Sequence, residues 1–367
     1  MPDLATTVTV IDACGRAHVP VLLSSDPGVG KSSLVRGIAA SEGVTCETVL
    51  GSLREPADVG GIPVVTPEGV VLDPPAYAKR LAAAGAGYLF LDELTLCRPP
   101  VQGAMLGVAL DRVVGDLRLP DAVRVVAGAN PPDRAADGWP LTPPLANRFC
   151  HLDYTPTVDE WLDGMTTGWG APPASRAVAT DALRRSASVA TVTGFIKTQP
   201  NLLHVYPDDA AGTSTPWPSR RTWSMLANAL AHVRDDDAAT RQAITFGLVG
   251  EGTGIEYLTW RDAADLPDPS AVVADPSIVA WGDRPDRVWA VLSGVVGWAT
   301  TRGTVEAWRQ AWGPLLAAAE HGAPDVAAAA ARVLGRARPA KAAVPAAVRT
   351  KWAPILVAAG LAEASAA

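Results

Sequence analysis

The feature that most constrains this chain is Ser25-Asp26-Pro27-Gly28-Val29-Gly30-Lys31-Ser32, a glycine-rich turn set between two kinds of regular pattern. Val19–Ser24 (VPVLLS) is a short apolar run of the sort expected for a strand buried on both faces. Behind the turn, Leu34, Val35 and Ile38 mark one face of a helix over Ser32–Ala40. Glycines let the backbone of such a strand–turn–helix bend tightly, so that successive N–H groups point at one concave spot. The helix N-terminus adds partial positive charge there, and the spot suits phosphate oxygens. Asp26 to Ser33 are therefore the candidate ligand-binding residues. Lys31 would reach the β- and γ-phosphates of a nucleotide, and the Ser32 hydroxyl would hold Mg²⁺. The pattern departs from GxxxxGK[ST] at its first position, where Ser25 stands for glycine. That matters only if the position needs a positive φ.

A second element is Tyr88-Leu89-Phe90-Leu91-Asp92-Glu93. Two adjacent carboxylates at the end of an apolar strand are costly unless something offsets their charge. A metal–nucleotide site does so, with Asp92 organising Mg²⁺ and Glu93 polarising an attacking water as general base. A third is Gly128-Ala129-Asn130, which ends another apolar strand and offers an amide, Asn130, to orient the same water. Arg148, just before a short strand at Phe149–Leu152, would lie at the rim and could reach a neighbouring subunit's γ-phosphate. Arg221, or its neighbour Arg220, opens a later helix over Arg220–Arg234 and could fold over the bound nucleotide of its own subunit. The sequence leaves open which of the two faces the site.

The first 155 residues alternate strand and helix signals, which predicts an α/β fold with a parallel sheet. Strands are expected at Val19–Ser24, Cys46–Leu50, Tyr88–Leu91, Arg124–Gly128 and Phe149–Leu152. Pro99-Pro100 with Val101, Met105 and Val108 marks a helix start. Two inserts read as hairpins: Val59–Leu72, turning at Pro67-Glu68-Gly69, and Val113–Leu119, turning at Gly115-Asp116. Beyond residue 157 strand signals fade. The expected division is a nucleotide-binding core at 1–157, a helical lid at 158–237 and a helical C-terminal extension at 238–367. Within it, 207–218 and Leu266–Pro276 read as loops. Eleven of the twelve tryptophans fall at or after residue 161 and are expected to anchor helical cores.

Composition narrows the function classes. A net charge of −7 argues against salt-driven nucleic-acid binding, and with it against a DNA translocase. Between Arg332 and Lys351 lie six basic residues and no acidic one, as on the solvated face of a terminal helix. Cys14, Cys46, Cys97 and Cys150 form no CxxC pair and read as buried reduced thiols. The five histidines are scattered, so no structural metal site is expected. No apolar stretch reaches the roughly 18 residues of a membrane span, and the N-terminus lacks a basic cluster before an apolar run. A cytoplasmic location is the expectation.

Taken together, LFLDELTLCRPPVQGAMLGVALDRVVGDLRLPDAVRVVAGANPP…PLTPPLANRF resembles the MoxR branch of the AAA+ ATPases. The likeness covers residues 15–155 strongly and Pro216–Leu230 moderately. Ser25, Thr95 (where the family usually has asparagine) and the extra small residue Ala129 depart from its pattern. The resemblance implies an AAA+ P-loop αβα domain with sheet order 5-1-4-3-2, a helical lid and a hexameric ring lined by the two hairpins. It also implies ATP and Mg²⁺ as cofactors, and ATP hydrolysis that remodels or activates a protein client with a von Willebrand factor A (VWA) domain partner. The alternative is an ATP-dependent switch or scaffold that hydrolyses little.

Overall fold

The computed structural model describes residues 2–131, 138–282, 284–340 and 342–352. The chain divides into two compact units, one of Met1–Ala179 with Leu202–Ile255, the other of Thr180–Asn201 with Glu256–Ala367. The first therefore takes in the expected core together with most of the expected lid.

Its strands are β1 (Val21–Ser24), β2 (Thr45–Leu50), β3 (Ile62–Thr66), β4 (Gly69–Asp73), β5 (Ala86–Asp92), β6 (Val113–Val114), β7 (Leu117–Arg118), β8 (Ala122–Ala129) and β9 (Cys150–Asp153). Five of them make one parallel sheet in the order β2-β5-β8-β1-β9. In this chain-wide numbering the order is not 5-1-4-3-2, because the two hairpins (β3–β4 and β6–β7) add four strands outside the sheet. Among the five sheet strands alone it reads 2-3-4-1-5, the same succession seen from the opposite edge. β1, β5 and β8 are apolar and buried through Val21–Leu23, Gly87–Leu91 and Val125–Ala129, since helices cover both faces. Register then gathers their ends. Ser24 lies beside Ala129, and Leu91 beside Ala127, so the residues that follow each strand emerge along one edge.

The hairpins form close to the expected places. β3 and β4 pair Thr66 with Gly69 across Pro67-Glu68, and β6 and β7 pair Val114 with Leu117 across Gly115-Asp116. Val59 does not join β3; it is buried in the short helix Pro56–Gly60. The helix at Arg220 ends at Leu230, and the 207–218 segment contains a short helix, Ala210–Thr213, capped by Asp209. Helix Ala238–Val249 packs on β9 so tightly that a Cβ at Gly247 would lie 2.2 Å from the His151 carbonyl oxygen.

The second unit is helical among its described residues. Helices Ala182–Thr198 and Pro285–Arg302 pack together. A separate core gathers Val288, Leu292, Val295, Trp308, Trp312 and Leu334. Trp308 and Trp312 meet edge to face at 5.5 Å, and Trp308 Nε1 donates to the Leu334 carbonyl at 2.8 Å. Leu266–Pro276 is not all loop: Asp268 caps a helix at Pro269–Ala274, with proline at its first position. Trp161 and Trp169, 50% and 67% exposed, are not core anchors. They lie on and just after helix Val158–Thr167, which buries none of its residues.

Candidate active site

The glycine-rich turn has the backbone its sequence requires. Gly28 (φ 82°) and Gly30 (φ 98°) adopt left-handed conformations, and a Cβ at either would meet nothing within 4 Å. Conformation, not space, demands glycine there. Gly30 caps helix Lys31–Ser41 without any side-chain bond, and the first turn carries no acidic residue. Its orphan N–H groups thus remain available to an anion. Ser25 is not among the residues with positive φ, so replacing the motif's first glycine strains nothing. It contributes instead, because its Oγ accepts from Lys31 Nζ at 2.9 Å.

Lys31 is buried and held by oxygens from two segments, Ser25-Asp26 and Asn130. Its ammonium donates to the Ser25 carbonyl at 3.1 Å, to the Asp26 carbonyl at 3.4 Å and to Asn130 Oδ1 at 2.8 Å. Burial pulls its pKa below the usual lysine value, while Asp92 and Asp26 oppose that shift. Ser32 Oγ donates to Asp92 Oδ2 at 2.6 Å, joining the turn to the end of β5. Asp92 Oδ1 in turn accepts the Glu93 N–H at 2.9 Å. The structure therefore brings Lys31, Ser32, Asp92, Glu93 and Asn130 together. Asp26, Pro27 and Ser33 lie exposed around them, with Val29 half-buried.

A hydroxyl and a carboxylate in contact are hard oxygen donors, and they suit Mg²⁺, which takes one or two protein oxygens and completes its octahedron with water and phosphate. No group of three metal-ligating side chains occurs among the described residues. Gly128 leaves room for Asp92: a Cβ there would lie 2.6 Å from Asp92 Oδ1.

Two supporting residues escaped sequence reasoning. Glu93 sits in the left-handed region (φ 58°, ψ 40°), a conformation that costs a non-glycine residue roughly 1–3 kcal/mol. It turns the side chain to Ser52, whose hydroxyl donates to Glu93 Oε2. Nothing in the local sequence marks a lone serine 41 residues upstream. Thr95, read only as a departure from the family pattern, is buried and clasps Asn130. Its Oγ1 donates to the Asn130 carbonyl at 3.0 Å and accepts the Asn130 N–H at 3.2 Å.

The arginines go elsewhere. β9 runs parallel to β1 with Cys150 beside Val21, so Arg148 lies at the strand starts, whereas the glycine turn follows the strand ends. At about 3.3 Å per residue the two levels are separated by on the order of 15 Å. Arg148 Nη1 donates to the Pro144 carbonyl at 2.7 Å, while its buried Nε has no partner. Burial, then the charge of Arg221, lower its pKa, with Asp111 opposing. Arg221 is thus Arg148's neighbour. Ser219, the cap of helix Arg220–Leu230, donates to Asn147 Oδ1 at 2.7 Å, and Asn147 Nδ2 donates to the Trp217 carbonyl at 3.2 Å. This anchor corrects the expectation that Arg220 or Arg221 folds over the turn of its own subunit. Both arginines are exposed, and their helix starts from the far end of β9.

No family model matches the sequence, and no curated protein matches it. Among solved structures the chain is similar to a proposed ATPase from Cytophaga hutchinsonii ATCC 33406. The TM-score is 0.40 and the identity 14%, over 69% of this chain and 86% of the other. A likeness so distant leaves the chemistry to be argued from the residues themselves.

Proposed function

We propose that this chain is a Mg²⁺-dependent ATPase of the MoxR type that works as a ring on a protein client, with a VWA-domain partner. The supporting observation is the convergence of Lys31, Ser32, Asp92, Glu93 and Asn130 from three strand ends onto one glycine turn. The motif resemblance supports the narrower assignment, and the hexamer, client and VWA partner rest on that resemblance alone.

In this reading the turn's N–H groups and the Lys31 ammonium bind the β- and γ-phosphates, displacing the oxygens that now hold Lys31. Asn130, released from Lys31 but still clasped by Thr95, is free to orient water. Bound Mg²⁺ would offset phosphate charge, held through Ser32 Oγ and Asp92. Glu93, once free of Ser52, accepts the proton of the attacking water as the bond between the γ-phosphorus and the bridging oxygen breaks, giving ADP and phosphate. Arg148 and Arg221 lie too far along the strands for their own site. They act in trans, with the Arg148 guanidinium serving a neighbour's γ-phosphate as an arginine finger.

The Ser52–Glu93 bond favours a second reading, a switch that binds ATP and hydrolyses little, because the base is already engaged. The deciding measurement is ATP hydrolysis per subunit against protein concentration, for wild type, Glu93→Gln and Arg148→Ala. A specific rate that climbs with concentration and collapses in both variants supports the ring ATPase. A flat, near-zero rate with tight ATP binding supports the switch.

A further inference from the structure

The hairpin β3–β4 displays an apolar ribbon. Ile62, Val64, Val65, Val70, Val71 and Leu72 are all exposed, Val65 to 83%. Its own ladder cannot use all of its backbone. Counting from the turn-closing pair Thr66–Gly69, alternate pairs exchange hydrogen bonds, which makes Leu72–Pro63 a pair that does not. The N–H and C=O of Leu72 therefore point to the outer edge of the ribbon. Both are taken by one residue of the other hairpin: the Leu72 N–H donates to Asp116 Oδ2 at 2.9 Å, and the Asp116 N–H donates to the Leu72 carbonyl at 3.1 Å.

The approach is built in from both sides by glycine. A Cβ at Gly115 (φ 60°) would lie 2.5 Å from the Leu72 carbonyl oxygen, and one at Gly61 (φ 99°) would lie 3.2 Å from Gly115 Cα. The second hairpin is in turn strung between two site residues. Glu93 leads through helix Pro99–Leu106 into β6, and β7 leads through β8 to Asn130. The Leu119 N–H closes the hairpin's base on the Arg112 carbonyl at 2.8 Å.

We propose that Asp116 is a positioning residue that fastens the exposed valine-rich ribbon to the segment joining Glu93 to Asn130, so that the ribbon's placement follows the state of the nucleotide site. The fastening stands on the contacts alone, whereas the dependence on nucleotide rests on the function proposed above.

Hydrogen–deuterium exchange of the full chain separates the two. Without nucleotide, Asp116→Ala should speed exchange across 62–73 by about tenfold or more, the loss of a bond to a charged acceptor, while β5 and β8 stay protected. Asp116→Asn, which keeps an acceptor, should fall between. Unchanged exchange in 62–73 overturns the fastening. In a Glu93→Gln background, Mg·ATP should alter exchange across 62–73, and Asp116→Ala should remove that response while the response across 25–33 persists. A ribbon that responds equally with and without Asp116, or not at all while 25–33 responds, overturns the positioning role. If 25–33 also ignores ATP, the nucleotide reading fails and the positioning role with it. The first comparison still decides the fastening.

Discussion

Glu93 and Ser52 set the balance between the two functional readings. The carboxylate that would take water's proton is held by a hydroxyl, in a backbone conformation that already costs energy. Ser52→Ala should therefore raise basal turnover several-fold, about the worth of one released hydrogen bond, and leave ATP affinity unchanged. Glu93→Gln should lower kcat by about a hundredfold or more with ATP still bound. Steady-state kinetics beside equilibrium nucleotide titration read both, and a Ser52→Ala enzyme slower than wild type would show that Ser52 supports the base and does not restrain it. Stability has its own titrating residues. Burial lowers the pKa of His151, whose Nε2 meets the Ala146 carbonyl oxygen at 2.9 Å, and also that of His18. An imidazole with a depressed pKa costs nothing above its ordinary value of 6.5. Below that value the unfolded chain takes up a proton that the folded one refuses, and stability falls as pH drops toward the folded pKa. The urea midpoint should decline between pH 7.5 and 5.5, less so in His151→Gln. The carboxylates with lowered values, such as Asp3 and Asp237, titrate below 3.8 and lie outside that window.

At the scale of elements, the strand ends make the site, and close packing between β5 and β8 sets its tolerance. Gly128→Ala would drive a methyl to 2.6 Å from Asp92 Oδ1 and 3.0 Å from the Phe90 ring. It should weaken Mg²⁺ dependence by about tenfold, the usual cost of disturbing a metal-supporting group, with less effect on metal-free nucleotide binding. Activity titrated against Mg²⁺ tests this, and an unmoved half-saturation point would detach Asp92 from the metal. Most of this architecture was legible because it is local. A glycine turn between an apolar run and an amphipathic helix, or DE after YLFL, is written in consecutive residues. What was not legible depends on contacts between distant segments. Ser52 is an ordinary serine until the fold lays it beside Glu93. The destination of Arg221 is decided by a cap bond from Ser219 to Asn147, 72 residues apart. Thr95 read only as a departure from the family pattern, yet its hydroxyl fixes Asn130 by two bonds. The tryptophans of the second unit pack as their composition implied, whereas Trp161 sits on, and Trp169 just after, a helix whose capping box forms it without a buried face.

For the whole molecule, the division of labour between the two ends of the sheet matters most. Lys31, Asp92, Glu93 and Asn130 gather where the strands finish, while Arg148 and Arg221 gather where β9 begins. In the proposed ring, arginines set on the order of 15 Å along the strands from the glycine turn of their own chain would serve a neighbour's site. Arg148→Ala should then lower turnover by about a thousandfold while leaving ATP affinity within a few-fold, as for an arginine supplied by a neighbour. Mixing gives the sharper test. Glu93→Gln subunits lack the base but carry Arg148, and Arg148→Ala subunits carry Glu93. Each preparation alone should be nearly inactive. Where an Arg148→Ala subunit binds ATP against a Glu93→Gln neighbour, the site regains both groups, so mixed assemblies should recover a substantial share of wild-type turnover. Recovery should depend on the ratio of the two and peak near equal amounts. Mixtures that stay as inactive as their parents, although light scattering shows that they co-assemble, would place Arg148 outside the chemistry and leave the arginine cluster a structural feature of the rim.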